Sequence, residues 1–80
     1  MDELTLENII KILEEIHPGV DYTADADLIE EGLLTSLDIA ALINKLDEKL
    51  FIRIPPKDIL PDNFASAQAI LDLLLKLDEE

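Results

Sequence analysis

Apolar residues recur at helical spacing in three separate stretches of this chain, with prolines and glycines between them. In the first stretch Leu6, Ile9, Ile10, Leu13 and Ile16 follow one another at intervals of 3, 1, 3 and 3, a single stripe of a 3.6-residue period. Glu3 and Glu7 lie near its start, where acidic side chains suit the helix dipole. His17-Pro18-Gly19 closes it, because a proline restricts the residue before it and cannot continue the ladder. The expected helix runs from about residue 3 to residue 16.

The second stretch has the strongest boundary signal. Thr35 is a good N-cap, and Asp38 three residues later makes a capping box with Asp in place of Glu. Leu37, Ala40, Ala41, Ile43, Leu46 and Leu50 follow at helical spacing, which predicts a helix over about 36–50. In the third stretch Ser66 or Asn63 is the expected cap, with Ala67, Ile70, Leu71, Leu74 and Leu77 turned inward.

Residues 18–34 are too long for an ordinary helix–helix connection, and their apolar content predicts a crossover packed on the bundle, with one helical turn over Leu28 to Glu31. Phe51-Ile52-Arg53-Ile54 alternates like a strand but has no partner strand, so it is expected to be an extended connector. The prolines at 55, 56 and 61 leave room for about one turn of helix. The expected fold class is all-α: one domain over residues 1–80, a small four-helix bundle of three long helices and one short, with a long first loop.

Charge and composition narrow the function. Six Lys and Arg against nineteen Asp and Glu give a net charge of −13, which repels phosphate backbones and anionic lipid surfaces. No nucleic acid and no membrane insertion are expected, and a basic protein partner is. Leu, Ile and Val number 28, too many for a disordered acidic chain. With no Trp, one Tyr and two Phe the core must be aliphatic, and with no Cys there are no disulfides, thiolate metal sites or cysteine nucleophiles. Met1 is followed by Asp2 and Glu3, where a secretory leader would be positive, and no apolar run approaches a membrane span. A cytoplasmic monomer is the expectation.

Catalytic equipment is nearly absent. An EF-hand register beginning at Asp21 puts Ala26 at the glycine position and Gly32 at the closing glutamate, so the acidic crossover is a solvated loop. His17 is the only histidine, which removes triads and multi-histidine metal sites and leaves it a helix-end residue. Gly19 and Gly32 are isolated and form no phosphate cradle. Tyr22 is expected to pack. An enzyme is not expected.

What remains is Glu30-Glu31-Gly32-Leu33-Leu34-Thr35-Ser36-Leu37-Asp38, in which one hydroxyl stands at the start of an amphipathic helix. This segment resembles the modification site of acyl carrier proteins and the related peptidyl and D-alanyl carriers, whose motif is Asp-Ser-Leu after a Gly-Leu stretch. Downstream, Leu42, Leu46, Asp47 and Glu48 resemble the family's second helix. Phe51-Ile52-Arg53-Ile54-Pro55 is similar to the family's lead into a short third helix, and Phe64 to Ile70 is similar to the start of its last. The resemblance covers about residues 28–75.

The resemblance implies a carrier of fatty-acid or secondary-metabolite biosynthesis, holding acyl or aminoacyl cargo as a thioester. The cofactor is 4′-phosphopantetheine, taken from coenzyme A and esterified to Ser36. It also implies that Leu37, Asp38, Asp47 and Glu48 contact partners: a phosphopantetheinyl transferase, and loading ligases and synthases with basic patches. Thr35 stands where the family usually has Asp, Ala41 replaces a position that is often acidic, and Lys45 adds a positive charge. Thr35 also leaves a second expectation, an unmodified carrier-like module that only binds proteins.

Overall fold

The computed structural model describes residues 4–22 and 27–78, with α1 at Leu6–Ile16, α2 at Ser36–Leu50 and α3 at Ala67–Asp78. Among the described residues there is no strand, and α1 packs against both α2 and α3. None of these helices is long and apolar enough to cross a membrane. The expected start of α1 near residue 3 moves inward because Thr5 is the cap: its hydroxyl accepts the Asn8 N–H at 3.2 Å.

α2 has the bounds that its capping signal predicts, and Ser66 rather than Asn63 caps α3, its Oγ accepting the Ala69 N–H at 3.0 Å. The short helix expected between the prolines takes the form of two 3₁₀ turns, Pro56–Asp58 and Pro61–Phe64. Pro61 opens the second of them without needing an N–H, and that turn carries Phe64, fully buried, into the core. Residues 51–55 form no regular element, so the strand-like alternation there becomes a connector.

The core draws Ile9, Ile12 and Leu13 from α1, Leu42 and Leu46 from α2, and Ala67, Ile70, Leu73 and Leu74 from α3. Three expectations change. Leu42, which the stripe omitted, is buried beside the expected Leu46, and each contributes about 1.5–3 kcal/mol to the fold. Ile12 and Leu73 join the core although the stripes omitted them, and Leu37 is 82% exposed. The apolar arc needed by an element packed on several neighbours is wider than one minimal stripe.

The described part of the crossover is tied down at both ends. Tyr22 is buried, and its hydroxyl donates to the carbonyl of His17 at 2.6 Å and lies 3.3 Å from that of Leu13, which already accepts the His17 N–H at the end of α1. Asp27 then caps a turn, its Oδ1 accepting the N–H groups of Ile29 and Glu30. Gly32, at φ +72°, closes that turn: its N–H reaches the Ile29 carbonyl while the Leu33 N–H reaches that of Leu28. This Schellman closure drops Leu34 into the core and delivers Thr35 to the start of α2.

Candidate functional site

Ser36 is exposed and is the first residue of α2. The turn that holds it is closed in both directions. Thr35 Oγ1 accepts the Asp38 N–H at 3.3 Å, and Asp38 Oδ2 accepts the Thr35 N–H at 3.0 Å and lies 3.2 Å from the Thr35 hydroxyl. Two orphan donors of the helix end are thereby satisfied and the backbone around Ser36 is fixed. The Thr35 N–H, first, then its hydroxyl and the neighbouring His17, hold the Asp38 carboxyl below the ordinary aspartate value. The expected capping box is present in full.

The site residues divide into two groups. Ser36, Leu37, Asp47 and Glu48 are all exposed on α2, together with Ala40 and Asn44. From Ser36 to Glu48 this outer face extends about 18 Å along the axis. Asp38 lies apart from them: half-buried, its carboxylate is engaged with Thr35 and lies 3.4 Å from His17 Nδ1. The two cations on the inner flank of α2 fold back on α1. Lys45 and Lys49 lie 3.4 and 3.1 Å from Glu15 Oε2, and the Lys49 contact leads the effects that hold the Glu15 carboxyl down. The charge that Lys45 adds to the sequence is therefore matched within the fold.

Beside Ser36 opens an apolar cleft of about 450 Å³, walled by Ile39 and Ile43 of α2 and by Ile59, Leu60 and Phe64 of the 3₁₀ region. It was not anticipated from sequence, because its two walls are joined only in the folded chain. The engagement of His17 with Asp38 was missed for the same reason. Among the described residues no group of three or more His, Cys, Asp or Glu is placed to hold a metal ion. What the arrangement offers chemically is one accessible hydroxyl on a rigid turn, next to an apolar wall.

The chain is 33% identical over 70 residues to the D-alanyl carrier protein of Listeria welshimeri, covering 85% of this chain and 90% of that protein. The D-alanyl carrier protein of Listeria monocytogenes is equally similar over the same shares, and that of Listeria innocua is 30% identical. No family model matches the chain.

Proposed function

This chain belongs to the D-alanyl carrier protein family, and from that premise we propose that it bears a 4′-phosphopantetheine arm esterified to the hydroxyl of Ser36. When bound, the arm supplies a terminal thiol that holds the cargo as a thioester. The names of the relatives make an aminoacyl group, D-alanine first, the cargo to test. The chain itself carries and presents; it catalyses nothing.

The observation that carries this reading is the exposed Ser36 at the head of a reciprocally capped helix. Exposure gives a phosphopantetheinyl transferase access to the hydroxyl. The first-turn N–H groups and the positive end of α2 suit a phosphodiester at that position. Thr35 keeps the cap that the family's usual Asp would make, so the substitution leaves the turn intact. The small residue Ala40 and the walls of the cleft leave room beside the serine.

Partner enzymes, a loading ligase and an acceptor synthase beside the transferase, would meet the outer face of α2. There Leu37 supplies an apolar contact next to Ser36, and Asp47 and Glu48 supply charge at the far end. Because Lys45 and Lys49 turn back toward Glu15 of α1, the outer face keeps Asp47 and Glu48 and steers toward basic patches, favouring fast, weak encounters. Asp38 contributes by holding the turn rather than by reaching outward. The setting is a monomeric cytoplasmic carrier.

The test is intact-mass measurement after incubating the apo protein with coenzyme A and a broad-specificity transferase. Wild type gains one arm, and Ser36→Ala gains none. Labelling of Ser36→Ala overturns the site; a wild type left unmodified by several transferases leaves a carrier-like module that binds proteins without an arm.

A further inference from the structure

The sole histidine of the chain sits between the two helix ends that meet beside Ser36. His17 is the C-cap of α1, and its backbone is held on both sides: its N–H donates to the Leu13 carbonyl at 2.8 Å and its carbonyl accepts from the Tyr22 hydroxyl at 2.6 Å. From that fixed point its Nδ1 lies 3.4 Å from Asp38 Oδ2. This is the same carboxylate oxygen that receives the Thr35 N–H and hydroxyl. Two donors of Thr35 and the imidazole of His17, from two separate segments, therefore converge on one carboxylate oxygen, two residues beyond Ser36.

We propose that His17 is a positioning residue for Ser36: by engaging Asp38 it fastens the end of α1 to the first turn of α2, and its protonation sets how firmly the serine is held.

The electrostatics favour this arrangement. An imidazolium suits the negative end of α1, and a carboxylate suits the positive end of α2, so the pair places each charge where its own helix stabilises it. The Asp38 side chain is 19% exposed and that of His17 39%, so solvent screens the contact only in part. The other ionisable groups nearby are Tyr22 of the crossover, Glu14 of α1 and Asp21 beside Tyr22 in the chain. Burial first, then the charges of Asp38 and Glu14, raise the Tyr22 hydroxyl further above neutrality, so it stays a donor throughout. Imidazole as a class is the side chain that changes charge near physiological pH, and the fold places this one 3.4 Å from Asp38 Oδ2. A neutral imidazole can offer Asp38 at most one uncharged N–H, so the charge attraction goes while the capping box remains.

The consequence for arm transfer rests on the reading that Ser36 carries the arm; the structural coupling does not. It is tested by following backbone amide resonances of the ¹⁵N-labelled protein between about pH 5 and 8, the range in which imidazole titrates. In wild type the amides of Thr35, Ser36 and Asp38 shift with the midpoint of the His17 ring. In His17→Gln they lose that titration. His17→Lys, a permanent cation, holds them near their acid-form positions. In Asp38→Asn the ring still titrates but the Ser36 amide no longer follows it. A Ser36 amide that stays still in wild type, or that titrates equally in His17→Gln, overturns the proposal. In the arm-transfer assay, His17→Gln is about two- to five-fold slower than wild type at pH 6 and equal to it at pH 8. Equal rates at both pH values overturn the functional half. Failure of wild type to accept any arm counts against Ser36 modification alone, and the resonances then decide the coupling.

Discussion

Asp38 and Thr35 bond to each other in both directions across the first turn of α2, the carboxylate accepting the Thr35 N–H at 3.0 Å while the Thr35 hydroxyl accepts the Asp38 N–H at 3.3 Å. Stability and the presentation of Ser36 therefore depend on the same pair. Removing the hydroxyl orphans a helix-end donor, so Thr35→Ala costs about 1 kcal/mol, whereas Thr35→Ser stays within about 0.5 kcal/mol of wild type. Thr35→Asp keeps an acceptor but sets a second carboxylate against Asp38, so at neutral pH it is less stable than Thr35→Ser. Pairing it with Asp38→Asn recovers the difference. Urea midpoints of the five proteins check the order, and Thr35→Asp at or above wild type would contradict it.

The acid limb of stability follows from the same carboxylate. The carboxyl of Asp38 is held below its ordinary value, so the folded state binds that proton less readily than the unfolded chain does. Its contribution is fully present above the ordinary aspartate value of about 4 and is lost as pH falls through the lower folded value. Asp38→Asn therefore destabilises the protein at pH 7 by about 1 kcal/mol and much less near pH 2.5. Unfolding free energies at the two pH values measure this, and a gap that is the same at both would show that Asp38 titrates alike folded and unfolded.

Gly32 and Phe51 both hold left-handed backbone, and substitution in opposite directions separates strain from packing. Gly32 sits at φ +72° with nothing within 4 Å of where a Cβ would stand. Gly32→Ala thus meets no clash but pays the left-handed penalty, about 1 kcal/mol. Phe51, the C-cap of α2 at φ 57°, already carries that strain and is 75% exposed, so little packing is lost with its ring. Phe51→Gly relieves about 1–2 kcal/mol of strain against about 0.5–1 kcal/mol of added chain entropy, and comes out neutral to stabilising by about 1 kcal/mol. Thermal midpoints of the two variants should move in opposite directions, or only that of Gly32→Ala should fall.

What the sequence disclosed and what it withheld divide along the distance between interacting residues. The Thr35–Asp38 box, the Ser66 cap and the helical periods are relations over three or four residues, and each is present in the fold. The position of Ser36 at the head of α2 follows from the cap beside it in the chain. The contact of His17 with Asp38 spans the whole crossover, and the cleft joins α2 to the 3₁₀ region, so neither leaves a local pattern. Leu42 shows the intermediate case. It lies on a helix the sequence predicts, but which side of α2 faces the core is decided by tertiary packing, and that buries a residue the apolar stripe omitted.

Salt dependence is set by a contest between net charge and the few attractive pairs. Glu15 with Lys45 and Lys49, Glu7 with Lys11, and Asp38 with His17 are all partly or wholly exposed contacts, individually weak and weakened further by salt. Against them stands a net charge of −13 on 80 residues, whose mutual repulsion reaches across the molecule at low salt, where the Debye length is about 30 Å at 0.01 M, and is cut to near neighbours at about 8 Å under physiological ionic strength. Screening removes that long-range repulsion before it removes pairs in contact. The thermal midpoint should therefore rise between low salt and about 0.5 M NaCl, several Debye-length reductions later. Glu15→Gln should make the rise shallower, since it removes one negative charge and leaves Lys45 and Lys49 to offset others. A flat or falling midpoint in wild type would mean that the pairs outweigh the repulsion, and a steeper rise in Glu15→Gln that its two lysines stabilise more than its charge repels.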